Sequence, residues 1–144
     1  MTLRAALVLA AAAAGAPASA CELVLLDARS GREIERHALA APALTVAFTH
    51  SVLGTPVHDD YEWRAGRWVL VAERFEGEGY GLPHAAPPGA RLARDGAGWS
   101  LEIERPVQPL VLRAVAGMKL VLPGGGQRRL EAPGAIELLA RNCG

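Results

Sequence analysis

Hydrophobic residues recur at alternate positions along most of this chain. Leu44, Val46 and Phe48 share one parity and Thr45, Ala47 and Thr49 the other, while Trp99, Leu101 and Ile103 alternate with Ser100, Glu102 and Glu104. A period of two marks a strand covered on one face. Residues 68–75 are more continuously apolar, which suits a central strand. Shorter apolar runs at 23–26 and 136–140, and a looser alternation at 33–39, fill the outer parts of the chain. Residues 110–115 and 119–122 read as a hairpin about Ala116 and Gly117. Turn formers separate these runs: Asp27, Ser30 and Gly31, then Ala40, Ala41 and Pro42, then Pro83, Pro87 and Pro88, then Gly124, Gly125 and Gly126, then Pro133 and Gly134. Beyond residue 20 no segment holds helical periodicity through three turns. The pattern predicts an all-β domain of about ten short strands, a β-sandwich or an open barrel.

The first twenty residues stand apart. Arg4 precedes an uninterrupted apolar run over residues 5–14, Gly15 and Pro17 break it, and Ala18, Ser19 and Ala20 satisfy the small-residue rule for signal cleavage. The run is shorter than the ~20 residues of a membrane-spanning helix. Residues 1–20 are read as a signal peptide and residues 21–144 as one all-β domain. The product is then periplasmic or secreted, with no membrane span after cleavage. Fifteen basic residues balance fifteen acidic ones, and loss of Arg4 with the leader leaves a slight acidic excess. Such a balance draws neither nucleic acid nor an anionic membrane to the surface. Cys21 would open the processed chain, and Cys143 is its penultimate residue. In an oxidising compartment two thiols pair, so a Cys21–Cys143 disulfide would tie the two ends together. The alternative makes Cys21 the acylated residue of a lipobox, which anchors the protein to a membrane and leaves Cys143 unpaired.

Chemistry-bearing residues crowd between positions 48 and 83. His50 continues the parity of Phe48 and is expected to point inward at a strand end, where both ring nitrogens need partners. Ser51 has the opposite parity, which argues against a nucleophile–base pair between the two. No Gly-x-Ser-x-Gly elbow occurs, and no catalytic residue is assigned. Asp59 and Asp60 sit with Glu62 in an acidic patch beside Tyr61 and Trp63. His58, Asp60 and Glu62 share one strand face and would offer a divalent cation three donors, although a solvated face is the plainer reading. His84 would join His50 if the glycine turn of Gly77, Gly79 and Gly81 packs over the strand end. His50, His58 and His84 are thus the candidate metal ligands, and a divalent metal is the alternative to no cofactor at all. Glu73, Glu76 and Glu78 read as a charged edge that discourages aggregation. Gly77, Gly79 and Gly81 call for backbone angles closed to other residues, or for close approach of a ligand. No helix follows them, so they make no dinucleotide fingerprint. Tyr80 lies between two of them, placed to meet a ligand. The ligand- or partner-binding candidates are His50, Ser51, Asp59, Asp60, Gly77, Gly79, Tyr80, Gly81 and Pro83.

The runs His50-Ser51-Val52, Thr55-Pro56-Val57 and Glu73-Arg74-Phe75, followed by Gly77, Gly79, Gly81, Leu82 and Pro83, resemble the bacterial family known as domain of unknown function eighteen-fifty. The resemblance covers most of residues 21–144 and is specific between 48 and 83. Where the family commonly has Gly-Ala-Gly-Leu-Pro, Tyr80 replaces the alanine, which favours an exposed aromatic over a tightly packed turn. An acidic residue usually follows the Pro-Val step, matched here by Asp59 or Asp60. Members are small exported proteins, often encoded beside tripartite (TRAP-type) transporters of the TAXI subclass. The resemblance implies an accessory role in TRAP-type solute uptake, and the leading expectation is a non-enzymatic periplasmic module that contacts a small solute or a transporter component. The alternatives are a periplasmic metal-binding protein or metal-dependent hydrolase, and a cell-envelope structural module.

Overall fold

A computed structural model of the chain describes residues 21–115, 117–131 and 134–143. The leader assigned to residues 1–20 lies outside the described residues. Among the described residues there are eleven strands and no helix. They are β1 (Glu22–Asp27), β2 (Glu33–Ala38), β3 (Ala43–Thr49), β4 (Pro56–Arg64), β5 (Arg67–Phe75) and β6 (Arg91–Asp95). Then follow β7 (Gly98–Val107), β8 (Leu110–Arg113), β9 (Lys119–Val121), β10 (Gln127–Arg129) and β11 (Ala135–Arg141). Two antiparallel sheets result, in the orders β2-β1-β11-β8 and β10-β9-β3-β4-β5-β7-β6. Neither closes into a barrel, so the arrangement is sandwich-like.

The alternation seen in the sequence supplies the layer between the sheets. Leu23 and Leu25 of β1 and Ile136, Leu138 and Ala140 of β11 pack with Leu44, Val46, Tyr61, Trp68, Leu70 and Leu120 of the larger sheet. A buried indole N–H must find an acceptor, and Trp68 Nε1 donates to the Leu138 carbonyl at 2.9 Å, tying one sheet to the other. A second cluster, Val57, Phe75 and Leu101, is packed by Leu82, Ala90 and Leu92. Leu82 and Ala90 belong to the long connection between β5 and β6, so this end of the sheet is covered by a loop. Phe48 and Ile103 touch both clusters.

Two expectations are corrected here. Residues 110–115 and 119–122 do not form a hairpin, because β8 pairs with β11 in the smaller sheet and β9 with β3 in the larger. Leu110 and Leu120 both enter the layer between the sheets, so the segment joining them crosses from one sheet to the other. Nor is β5 an edge: it lies between β4 and β7, as its continuous apolar character suggested, and Glu73 is therefore mid-sheet. The disulfide expectation is met. Pairing of Glu22 with Arg141 brings the two cysteines side by side, and Cys21 and Cys143 are bonded with their Cα atoms 4.4 Å apart. No helix among the described residues is long and apolar enough to cross a membrane.

Candidate functional site

Strands β3 and β5 run out at the same end of the larger sheet, since Thr49 pairs with Pro56 and Phe75 with Val57. The loops that follow them are joined by one side chain. His50 lies half-buried just past β3. Its Nδ1 accepts from the backbone N–H groups of Val52 (3.3 Å) and Leu53 (3.2 Å), and its Nε2 stands 3.2 Å from the Tyr80 carbonyl. An accepting Nδ1 leaves the proton on Nε2, and that tautomer satisfies all three contacts at once. The partners expected for both nitrogens are thus backbone groups of two loops. Thr55 Oγ1 donates to the Glu76 carbonyl at 2.9 Å and ties the same loops a second time.

The glycines have a steric reason. Gly77, Gly79 and Gly81 have φ of 93°, 80° and 92°, and Tyr80 joins them at 54°. A Cβ on Gly77 would lie 2.8 Å from Leu53 Cδ1, so this glycine lets loop pack on loop. Leu82 N–H closes the turn on the Gly79 carbonyl at 3.1 Å, and its side chain packs on the second apolar cluster. Tyr80 is the outlier. A bulky residue in the left-handed region carries ~1–2 kcal/mol of strain, yet the ring is 71% exposed. Ser51 and His84 are exposed, and Pro83 is half-buried beside Leu82.

Asp59 and Asp60, one patch in the sequence, part to opposite faces of β4. Asp60 accepts from Thr45 Oγ1 at 2.6 Å and from Arg74 Nε and Nη2 at 3.0 and 2.9 Å. Glu62 accepts from Arg64 Nε at 2.9 Å. His58 pairs across the strands with Arg74, and burial, followed by the charge of Arg74, holds its imidazole below the ordinary range. The carboxylates proposed as metal donors are therefore held by arginines. Among the described residues no three His, Cys, Asp or Glu side chains converge into a cation-binding group. His50 is turned to Tyr80, not to His84, so the His50, His58 and His84 set is not assembled.

Asp59 goes inward. The row Val46–Asp59–Glu73–Leu101 runs between the rows that carry the two apolar clusters. Arg105 Nη2 reaches Glu73 at 3.4 Å and acts on Asp59 only at longer range. Burial first, and the Glu73 charge second, push the Asp59 carboxyl up to about 7. Tyr61, the next inward residue of β4, is raised by burial and then by the charge of Asp59. This seam binds a proton near neutral pH.

Residues 44–129 match the family described as Domain of unknown function (DUF1850). The chain belongs to that family. The DUF1850 segment spans β3 to β10 and so holds both the tied loops and the seam, while β1, β2 and β11 fall outside it. No curated protein and no solved structure matches the chain. Within the DUF1850 segment, reasoning on motifs picked out the loops but passed over Glu73, Arg105 and Tyr61 as partners of Asp59. The signal was parity: Asp59 shares the inward face of β4 with Val57 and Tyr61, an acid between two apolar residues.

Proposed function

We propose that this DUF1850 protein is an exported, non-enzymatic accessory module that docks on a component of a TRAP-type solute transporter. The docking face is built by residues 50–53 and 77–83. One observation carries the reading: Tyr80 is held at φ 54° and leaves its ring 71% exposed. Strain of that kind persists where the surroundings over-determine it, and it clusters at binding sites. The surroundings here are His50 on the Tyr80 carbonyl and Leu53 against Gly77. An aromatic that projects from a rigid scaffold fits a macromolecular partner better than an enclosed solute, because ligand pockets bury most of what they bind. The Cys21–Cys143 disulfide fits an oxidising compartment outside the cytoplasm.

The test is co-purification. The affinity-tagged full chain is expressed with the membrane subunits of a TRAP-type transporter from the same cell and recovered in mild detergent. Those subunits should accompany the native chain and the Ile34→Ala control on β2, and should be lost from Tyr80→Ala. Absence of the subunits from the native chain, or equal recovery with Tyr80→Ala, would overturn the proposal.

A further inference from the structure

We infer that the face is a two-point apolar clamp for a protein segment that carries hydrophobic side chains flanked by lysine or arginine; this rests on the docking face proposed above and names the chemistry of its partner. Val52 is 61% exposed and Tyr80 71%, more than any other large hydrophobic residue among the described residues. Single exposed apolar residues are ordinary. These two are different because one imidazole holds both: the Val52 N–H sits on His50 Nδ1 and the Tyr80 carbonyl faces Nε2. His50 is in this sense a positioning residue, which fixes the two anchors relative to each other before a partner arrives. Such preorganisation lowers the ordering cost of association.

Charge selects the partner. Neither residues 50–57 nor residues 75–90 contain a lysine or arginine, while Glu76 and Glu78 are exposed beside the anchors. The adjoining cation, Arg74, is taken up by Asp60. Complementarity therefore calls for a basic flank on the partner. The same carboxylates argue against a lipid surface, since segments that lie on anionic membranes bring Lys and Arg with their apolar face.

The purified, oxidised chain is titrated with two short fluorescent peptides that share a Leu-Phe core, one flanked by lysines and the other by glutamates. Vesicles of phosphatidylglycerol and phosphatidylcholine form the third arm. The lysine-flanked probe should bind at least about tenfold tighter than its counterpart, with an affinity that falls as salt rises. Tyr80→Ser and Val52→Ser should each weaken it about tenfold. Glu76→Gln combined with Glu78→Gln should abolish the preference between probes. Equal affinity for both probes, binding to neither, capture by vesicles, or full binding by the serine variants would each overturn the inference. Transporter co-purification that survives such a result leaves the docking proposal standing. A clear probe preference without co-purification overturns the transporter reading alone.

Discussion

Replacing Asp59 by asparagine should make the protein more stable, by an amount that grows as pH rises from 3.8 to about 7 and is complete above that. The native carboxyl is raised from its ordinary value of 3.8 to about 7, by burial and then by Glu73. Below 3.8 it is protonated in both the folded and unfolded chain and adds no pH dependence. Between 3.8 and about 7 the folded protein keeps a proton that the unfolded chain has released, so stability falls as pH rises through that window. Above it the full penalty of an ionised, poorly compensated acid remains. At ~1.4 kcal/mol for each tenfold difference in proton affinity, the whole span corresponds to about 4 kcal/mol. Residual solvent around the carboxyl lowers the usable part to about 2–4 kcal/mol. The assay is urea unfolding followed by the fluorescence of Trp63, Trp68 and Trp99, at intervals from pH 4 to pH 9, on both proteins. Other groups titrate in this range, but they do so in both proteins, and the difference curve isolates Asp59. The variant should gain on the native protein steadily towards pH 8 and then level off. A difference that does not vary with pH, or a variant less stable at pH 8, would refute the seam as described.

Tyr80→Gly should leave thermal stability unchanged or slightly raised, because relief of the left-handed strain offsets the added freedom of the unfolded chain; calorimetry against the native protein checks it. Gly77→Ala should cost about 1–3 kcal/mol in urea unfolding, chiefly because alanine is strained at φ 93°, while the end of the Leu53 side chain, 2.8 Å from the new Cβ, has to shift aside. Trp68→Phe removes the donor to the Leu138 carbonyl and should cost about 1–3 kcal/mol in the same experiment. Serine at both Cys21 and Cys143 should cost about 2–5 kcal/mol, read as a lower midpoint that reducing agent does not change further.

Much of the fold could be read from side-chain parity. The rows Leu44–Val46–Phe48 and Trp99–Leu101–Ile103 became β3 and β7, and the apolar run at 68–75 became the central β5. The hairpin about Gly117 was misread because a turn between two apolar strands looks the same whether they stay in one sheet or change sheets. What separates those outcomes is the partner strand, and β11 and β3 lie far away in sequence from β8 and β9 respectively. The site divided in the same way. His50 and the glycines stood out as residue types, yet the contact that unites them spans thirty positions to Tyr80. Alternation already set Asp60 on the face of His58 and Glu62, but it did not say that the face left to Asp59 is the inward one while Asp60 goes to Arg74. Pairing of Asp59 with Glu73 needed the register of β4 against β5.

The central claim, that the face around Tyr80 is where this DUF1850 protein meets its partner, is tested most directly by site-specific photo-crosslinking in living cells. A photoreactive residue is placed in turn at Tyr80, Val52 and Ile34 of the full chain, beside the cell's own TRAP-type transporter. The account predicts a crosslink to a transporter component from positions 80 and 52, and none from position 34 on the other sheet. Crosslinks from 34 alone, equal crosslinks from all three, or none from 80 and 52 would contradict it.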